Sequence, residues 1–311
     1  MFTTAIAAAT LAVSLSVGGQ TGQEQDPAPI QLEDVTVTGR SLEGMIRNFV
    51  TEVAEPNRGR GLARWDGQVC VGAVNLRIET AQYLVDRIST IAGDLGVETG
   101  APGCDPNLLV IATTDANALT AALSTASPRS FRMGGAGMDR GRTAFHEFQN
   151  ADRPVRWWQL SMPVDSQSGL RVARLPGECD LEACVPPSYN VAIASRLKTQ
   201  VVNNLFRSIV VVDVDQVSQL TVLQLADYVA MVSLAQIDPD ADTSAYASIL
   251  NVFDDPAASA SLTDWDSAYL GGLYAAQRND TNLRANRGEI SRAIHREHDR
   301  LRALSDPLEE R

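Results

Sequence analysis

The stretch RSIVVVDVDQVSQLTVLQLADYVAMVSLAQ, residues 207–236, decides the fold that the sequence predicts. Its first part holds an unbroken apolar run at 209–212, which is typical of a strand buried on both faces. Its last part, from residue 224 onward, is apolar on nearly every side and predicts a buried helix with one carboxylate, Asp227, in its middle. A buried strand that leads into a buried helix indicates a layered α/β protein.

The rest of the chain alternates between strand and helix patterns. Helices are predicted at 41–53, with Ser41 as the N-cap, and at 79–96, where Gly96 ends the apolar periodicity. The other predicted elements are strands at 33–40, 68–76, 107–113, 154–162 and 190–195, a short helix at 116–124, a Gly- and Arg-rich loop at 128–142, a helix that Thr263 and Asp266 cap, and a tail helix at 287–304. The predicted fold is mixed α/β, with a strand–helix N-terminal part and a mostly helical C-terminal third.

The N-terminus reads as an export signal. Residues 1–19 carry no charge, are mostly small or apolar, and are too short and weakly apolar for a membrane span. They predict a signal peptide cleaved near Gly18–Gln20, and hence a periplasmic or secreted protein with no membrane span in the mature chain. A polar linker at 20–32, a single α/β domain at 33–305 and a tail at 306–311 complete the predicted organisation.

The four cysteines fit an exported protein, because oxidising compartments allow disulfides to form. Cys179 and Cys184 lie in one Pro-rich loop, where a local bridge forms easily. Cys70 and Cys104 would then tie a strand to the loop before the next strand. The alternative is four unpaired buried thiols, and the cysteine spacing does not match a zinc site.

The formal net charge of −12 argues against nucleic acid as a partner, because an acidic surface repels phosphate backbones. Arginines cluster in RGRGLARW, residues 58–65, where a solvated loop is the ordinary interpretation. The partner expected is an unknown protein or a ligand of the cell envelope.

Two weak patterns suggest catalysis. Ser195 and Lys198 are three residues apart, which on a helix brings an amine within reach of a hydroxyl as its base. Asp213 and Asp215 end the buried strand, where catalytic carboxylates occur, although caps and turns occur there more often.

No cofactor or metal site is predicted. His146 lies in FHEF, which begins like a zinc-binding helix, but Asn150 stands where a second histidine would be needed. His295 and His298 lie three residues apart on the charged tail helix, where a solvated face is the simpler interpretation.

The C-terminal third, residues 205–280, resembles the catalytic half of zincin metallopeptidases, particularly metzincins, and uncharacterised secreted proteobacterial families that lack the full zinc ligands. The matching positions are Ser248, Ile249, Leu262, Thr263, Asp266, Leu273 and Tyr274. The resemblance implies a zincin-like fold in this third. At the place of the zinc-binding HExxH helix, however, the chain has YVAMV (228–232), and Leu250 replaces the methionine of the following turn. A zinc ion that hydrolyses peptides needs about three protein ligands and a polarised water. This chain is therefore not expected to have the peptidase activity of the family.

These observations lead to one functional expectation and one alternative. The expectation is an exported, non-catalytic, zincin-like binding or interaction module of the cell envelope. The alternative is a metal-independent hydrolase that uses Ser195 and Lys198, or Asp213 and Asp215. In either case Asp227 needs a partner, an arginine or a backbone donor from the adjoining strand or tail helix, because an unpaired carboxylate is costly in an apolar helix.

Overall fold

The computed structural model describes residues 41–131, 137–173, 196–280 and 282–305. Several predicted features lie outside these residues: the signal peptide, the linker, the strands at 33–40 and 190–195, the second cysteine pair, Ser195 and the tail at 306–311.

A mixed four-stranded sheet forms the centre of the described chain, with the strands in the order β1-β2-β4-β3. Its strands are β1 (Val71–Val74), β2 (Leu108–Thr113), β3 (Val155–Asp165) and β4 (Val201–Asp213). β1, β2 and β4 are parallel, and β3 runs antiparallel to β4 with a bulge between Leu160 and Ser161. The sequence-based prediction of a mixed α/β fold is confirmed.

Helices cover both faces of this sheet. They are α1 (Leu42–Val53), α2 (Ile78–Asp94), α3 (Ala116–Ala126), α4 (Pro128–Phe131), α5 (Arg142–Asn150), α6 (Val222–Leu234), α7 (Asp264–Ala275) and α8 (Leu283–Ser305), with a 3-10 turn at Ile249–Asn251. Within the described ranges, none of them is long and apolar enough to cross a membrane.

The alternation of side chains along β4 separates two apolar cores. Val210 and Val212 face a large core built with α1, α2, α6, α7 and α8. Ile209 and Val211 face a smaller core built with α3, α4 and α5, in which Trp158 packs against Phe148 at 5.8 Å between ring centroids. Since both faces of β4 are covered, its apolar run is buried on both sides, as the sequence predicts.

The ends of several helices follow the predicted signals. The Ser41 hydroxyl accepts a hydrogen bond from the Gly44 N–H at 3.2 Å, and Gly96 adopts φ +78° just after α2, a conformation that favours glycine. Thr263 and Asp266 form a reciprocal capping box at the start of α7. These three predictions are confirmed.

Two parts of the fold differ from the prediction. α4 lies within the segment 128–142 that was expected to be a loop, and α5 was not predicted. β4 also begins at Val201, before the stretch 207–236 in which the sequence predicts it, so it includes the polar residues Asn203 and Asn204. Polar residues inside a strand hide its period, and tertiary contacts decide its length.

The outer edge of β3 is partly occupied by the chain itself, between Ser161 and Asp165. The Ser161 N–H donates to the Met138 carbonyl at 2.8 Å, and the Asp165 N–H donates to the Leu170 carbonyl at 2.8 Å. The Val172 N–H in turn donates to the Pro163 carbonyl at 3.0 Å. These bonds use the backbone groups through which an added strand would pair.

Candidate functional site

Helix α6 lies at the centre of the larger core, and every residue from Gln224 to Leu234 is buried. Val229 and Val232 are fully buried, and the Tyr228 ring packs edge-on against Phe253 at 4.8 Å and Trp157 at 6.3 Å. The positions that the resemblance aligns with a zinc-binding motif are therefore filled with apolar and aromatic packing.

Side chains from other elements satisfy the last carbonyls of α6, which have no partner within the helix. The Gln159 amide on β3 donates to the carbonyls of Val232 at 3.1 Å and Ala235 at 2.9 Å. The Trp65 indole donates to Ser233 at 3.0 Å, and the Tyr274 hydroxyl donates to Leu234 at 2.8 Å. These bonds fix the end of α6 against the sheet and α7.

Asp227 is 0% exposed and forms a two-point ion pair with Arg87 on α2. The Arg87 Nε lies 2.6 Å from Asp227 Oδ1, and Nη2 lies 3.0 Å from Oδ2. The backbone N–H of Leu262 also donates to Oδ2 at 2.7 Å. The prediction that Asp227 has a partner is confirmed, but the arginine comes from α2 and not from the adjoining strand or the tail helix.

The ion pair fixes a guanidinium at the surface of a cleft of about 710 Å³. The Arg87 side chain is 33% exposed while its counter-charge is fully buried. Hydrogen bonding to Asp227 is the main cause that raises the pKa of Arg87, so the guanidinium stays charged at every physiological pH. Lining residues come from α2, α7, α8 and the segment before α7, namely Arg87, Ile91, Asp94, Leu95, Leu262, Ser267, Leu270, Gly271, Tyr274, Ala275, Glu297, Arg300 and Leu301.

The walls of the cleft combine apolar surface with fixed charges. On α8, Arg300 and Glu297 form an ion pair with Nε and Oε2 at 3.0 Å, and Asp94 adds a carboxylate on α2. A concave surface with apolar walls and a few oriented charges is typical of a ligand-binding site.

The predicted Ser195/Lys198 arrangement lies only partly within the described residues. The Lys198 amine lies 2.6 Å from Asp280 Oδ1 and forms an ion pair with it. Ser195 lies outside the described ranges, so the contact between Ser195 and Lys198 stays a prediction.

The second predicted pair, Asp213 and Asp215, belongs to the turn that ends β4. Asp213 Oδ1 accepts a hydrogen bond from the Asp215 N–H at 3.1 Å, and its Oδ2 accepts from the Gln216 amide at 3.4 Å. Asp215 is exposed. Asp213 thus shapes a turn, and neither residue lines the α2–α7–α8 cleft.

The histidines that the sequence singles out lie on two helices, α5 and α8. His146 is exposed on α5, and His295 Nδ1 lies 3.0 Å from Asp299 on the tail helix. Among the residues that the structure describes, no three His, Cys, Asp or Glu side chains are grouped so that they could hold a metal ion.

Cys70 and Cys104 form the disulfide that the sequence predicts, with their Cα atoms 6.0 Å apart. The bridge joins the start of β1 to the loop before β2, and a disulfide is compatible with a secreted protein. Cys179 and Cys184 lie outside the described ranges, so their pairing stays a prediction.

Neither the cleft nor the role of Arg87 was predicted from the sequence. One signal was present: Arg87 stands next to the apolar stripe of α2 that contains Leu84, Ile88 and Ile91. A charged residue beside such a stripe faces the boundary of the core, where a buried carboxylate on another helix can reach it.

No protein-family model matches the chain, and no curated protein or solved structure matches it. The zincin resemblance therefore rests on the quoted residues alone.

Proposed function

We propose that the protein is an exported, non-catalytic, zincin-like binding module of the cell envelope and that the α2–α7–α8 cleft is its ligand-binding surface. One observation carries the proposal: α6, at the place of a metal-binding helix, is buried along its length, and its one carboxylate is held by Arg87. The same ion pair that occupies the Asp227 carboxylate also holds the Arg87 guanidinium at the surface of the cleft.

The connections among the matching residues support the zincin-like part of the proposal. The Asp266 carboxylate accepts hydrogen bonds from the Ser248 hydroxyl at 2.6 Å, the Ile249 N–H at 2.8 Å and the Thr263 N–H at 3.0 Å. These residues, which carry the resemblance in sequence, form one connected unit between the 3-10 turn and α7.

Export is supported by the Cys70–Cys104 disulfide and by the composition of residues 1–19.

A hydrolysis and metal screen of the mature chain tests the absence of catalysis. We expect no stoichiometric zinc after dialysis and no turnover of peptide or ester substrates. Turnover that is lost in Ser195→Ala or Lys198→Ala, or in Asp213→Asn or Asp215→Asn, would establish the alternative hydrolase. One zinc per chain by elemental analysis would refute the metal-free proposal directly.

Native mass spectrometry of the protein isolated from its own envelope fraction tests the cleft. Ser267 lines the cleft on α7 and is partly exposed, so Ser267→Trp should fill it. Thr125→Trp, on the exposed side of α3, serves as the matched control. We expect a retained ligand mass in wild type and in the control that is absent in Ser267→Trp. A mass retained equally by all three proteins would place the ligand elsewhere.

A further inference from the structure

A second concave region lies where the segment 56–62 meets the first turns of α8, at the opposite end of that helix from the cleft residues Glu297 and Arg300. It consists of two adjoining pockets of about 120 Å³ and 150 Å³. Both pockets are lined by Arg60, Gly61, Leu62, Leu283 and Asn286. This region includes part of the arginine-rich stretch 58–65, which the cleft does not use.

The first pocket is rimmed by three arginines, Arg60, Arg284 and Arg287. Arg284 and Arg287 are exposed, and no carboxylate within the described ranges forms an ion pair with either of them. The chain as a whole carries a formal charge of −12, so this rim is a local concentration of positive charge in an acidic protein.

Three other arginines of α8 differ from Arg284 and Arg287, because each forms an ion pair with a glutamate of the same helix. Arg292 and Arg296 both pair with Glu289, at 2.7 Å and 3.4 Å, and Arg300 pairs with Glu297. Each of these three arginines has a carboxylate partner on its own helix, whereas Arg284 and Arg287 form no ion pair with a carboxylate of the described residues. The positive end of the helix dipole lies at the same place, where the Arg284 N–H donates to the Asn282 side chain at 2.9 Å.

The second pocket supplies an independent sign of a ligand. Asn203 lines it and is only 6% exposed, yet its Oδ1 is buried without a hydrogen-bond partner. A buried amide left unpaired costs about 1–3 kcal/mol and needs a physical reason. The charged groups beside it are already paired, Arg278 with Asp66 at 3.2 Å and Asp280 with Lys198 at 2.6 Å. A donor on a bound molecule would satisfy the free oxygen of Asn203.

Apolar side chains contribute to the surface that the two pockets share. Leu62 and Leu283 line both pockets, Ile290 lines the first, and Leu283 is 47% exposed. A ligand that fits this arrangement has an anionic group for the arginine rim, a short carbon skeleton for the apolar surface, and a hydroxyl or amine that donates to Asn203 Oδ1.

We propose that this region binds a small organic oxyanion, a phosphate monoester or a carboxylate that also bears a hydrogen-bond donor. Arg284 and Arg287 hold the oxyanion, and Asn203 accepts the donor. Oxyanions bind arginine through charge-assisted hydrogen bonds, which are about twice as strong as neutral ones. This site is separate from the cleft of the proposed function and does not depend on it.

Titration calorimetry of the mature chain with three probes, inorganic phosphate, glycerol 3-phosphate and lactate, tests the proposal at constant ionic strength. We expect saturable binding of at least one organic probe, weakened about tenfold or more in Arg284→Gln/Arg287→Gln. The matched control, Arg292→Gln/Arg296→Gln, removes the same charge from the same helix and should change the affinity by less than about twofold.

Asn203→Ala separates the two contacts. It should weaken glycerol 3-phosphate or lactate while leaving inorganic phosphate unchanged, because inorganic phosphate has no carbon-borne hydroxyl to place at the amide. Equal weakening by both double variants would show a general charge effect and overturn the site, as would the absence of saturable binding by all three probes. A preference between the two organic probes identifies the oxyanion as phosphate or carboxylate.

Discussion

At the scale of single residues, Asp227 shows how a carboxylate is accommodated in an apolar helix. Its two oxygens accept three hydrogen bonds, two from Arg87 and one from the Leu262 N–H. A charge removed from water in this way is tolerated only because its partners replace the lost hydration.

We expect Asp227→Ala to lower the free energy of unfolding by about 3 kcal/mol, because it leaves Arg87 and the Leu262 N–H without their acceptor. Asp227→Asn should cost less, since its amide oxygen still accepts one bond. Urea midpoints for both variants measure these losses. Asp215→Ala, at an exposed aspartate, should stay within about 0.5 kcal/mol of wild type. An unchanged midpoint in Asp227→Ala would mean that the ion pair does not stabilise the fold.

At the scale of elements, Gly272 decides how closely α7 approaches α8. A Cβ built at Gly272 would lie 2.4 Å from Ile294 Cγ1 and 2.5 Å from the Ile294 backbone. The backbone of α8 cannot move aside as a flexible side chain can. The two helices can therefore cross at this distance only with a glycine at position 272.

Gly272→Ala should therefore destabilise the protein by about 1–3 kcal/mol, because the added methyl group forces α7 and α8 apart. Gly93→Ala in α2 is the matched control, since nothing lies within 4 Å of its added Cβ. Alanine favours the helix over glycine by about 0.5–1 kcal/mol, so this control should raise stability. Thermal unfolding of the two variants gives shifts of opposite sign, and shifts of the same sign would contradict the packing described.

The capping box of α7 makes a second prediction at this scale. Asp266 is fully buried and links α7 to the 3-10 turn through Ser248 and Ile249. We expect Asp266→Ala to cost about 2–3 kcal/mol, more than an ordinary cap, because it also leaves buried donors of the turn unpaired. Asp115→Ala, which removes the exposed cap of α3, should cost about 1 kcal/mol in the same denaturation assay. Equal losses would show that the link to the turn adds nothing.

At the scale of the whole molecule, the Cys70–Cys104 disulfide connects positions 34 residues apart in sequence. Such a bridge restricts the unfolded chain, and in the chain-entropy model it stabilises by about 3 kcal/mol or more. Cys70→Ala/Cys104→Ala should lower the stability by this amount. Non-reducing peptide mapping should recover the Cys70–Cys104 peptide and also a Cys179–Cys184 peptide. Free thiols at all four positions would contradict both bridges and the export that they support.

Local sequence signals determined much of this fold. Three kinds of feature could be predicted because each depends on residues close together in the chain. They are the apolar run of β4, the periodicity of α1 and α2, and the caps at Ser41 and Thr263. The mixed α/β class and the need of Asp227 for a partner followed from the same kind of reasoning. The pairing of Cys70 with Cys104 could be proposed because the other two cysteines share one loop.

Other contacts between distant segments were decided by the tertiary structure alone. The identity of Arg87 as the partner of Asp227, the extension of β4 through Asn203, and the cleft between α2, α7 and α8 all depend on contacts between segments far apart in sequence. The arginine rim also depends on such contacts, because Arg60 lies more than 200 residues before Arg284 and Arg287 in the sequence. Composition and periodicity report the environment that a residue needs, whereas its partners are set by how the elements pack.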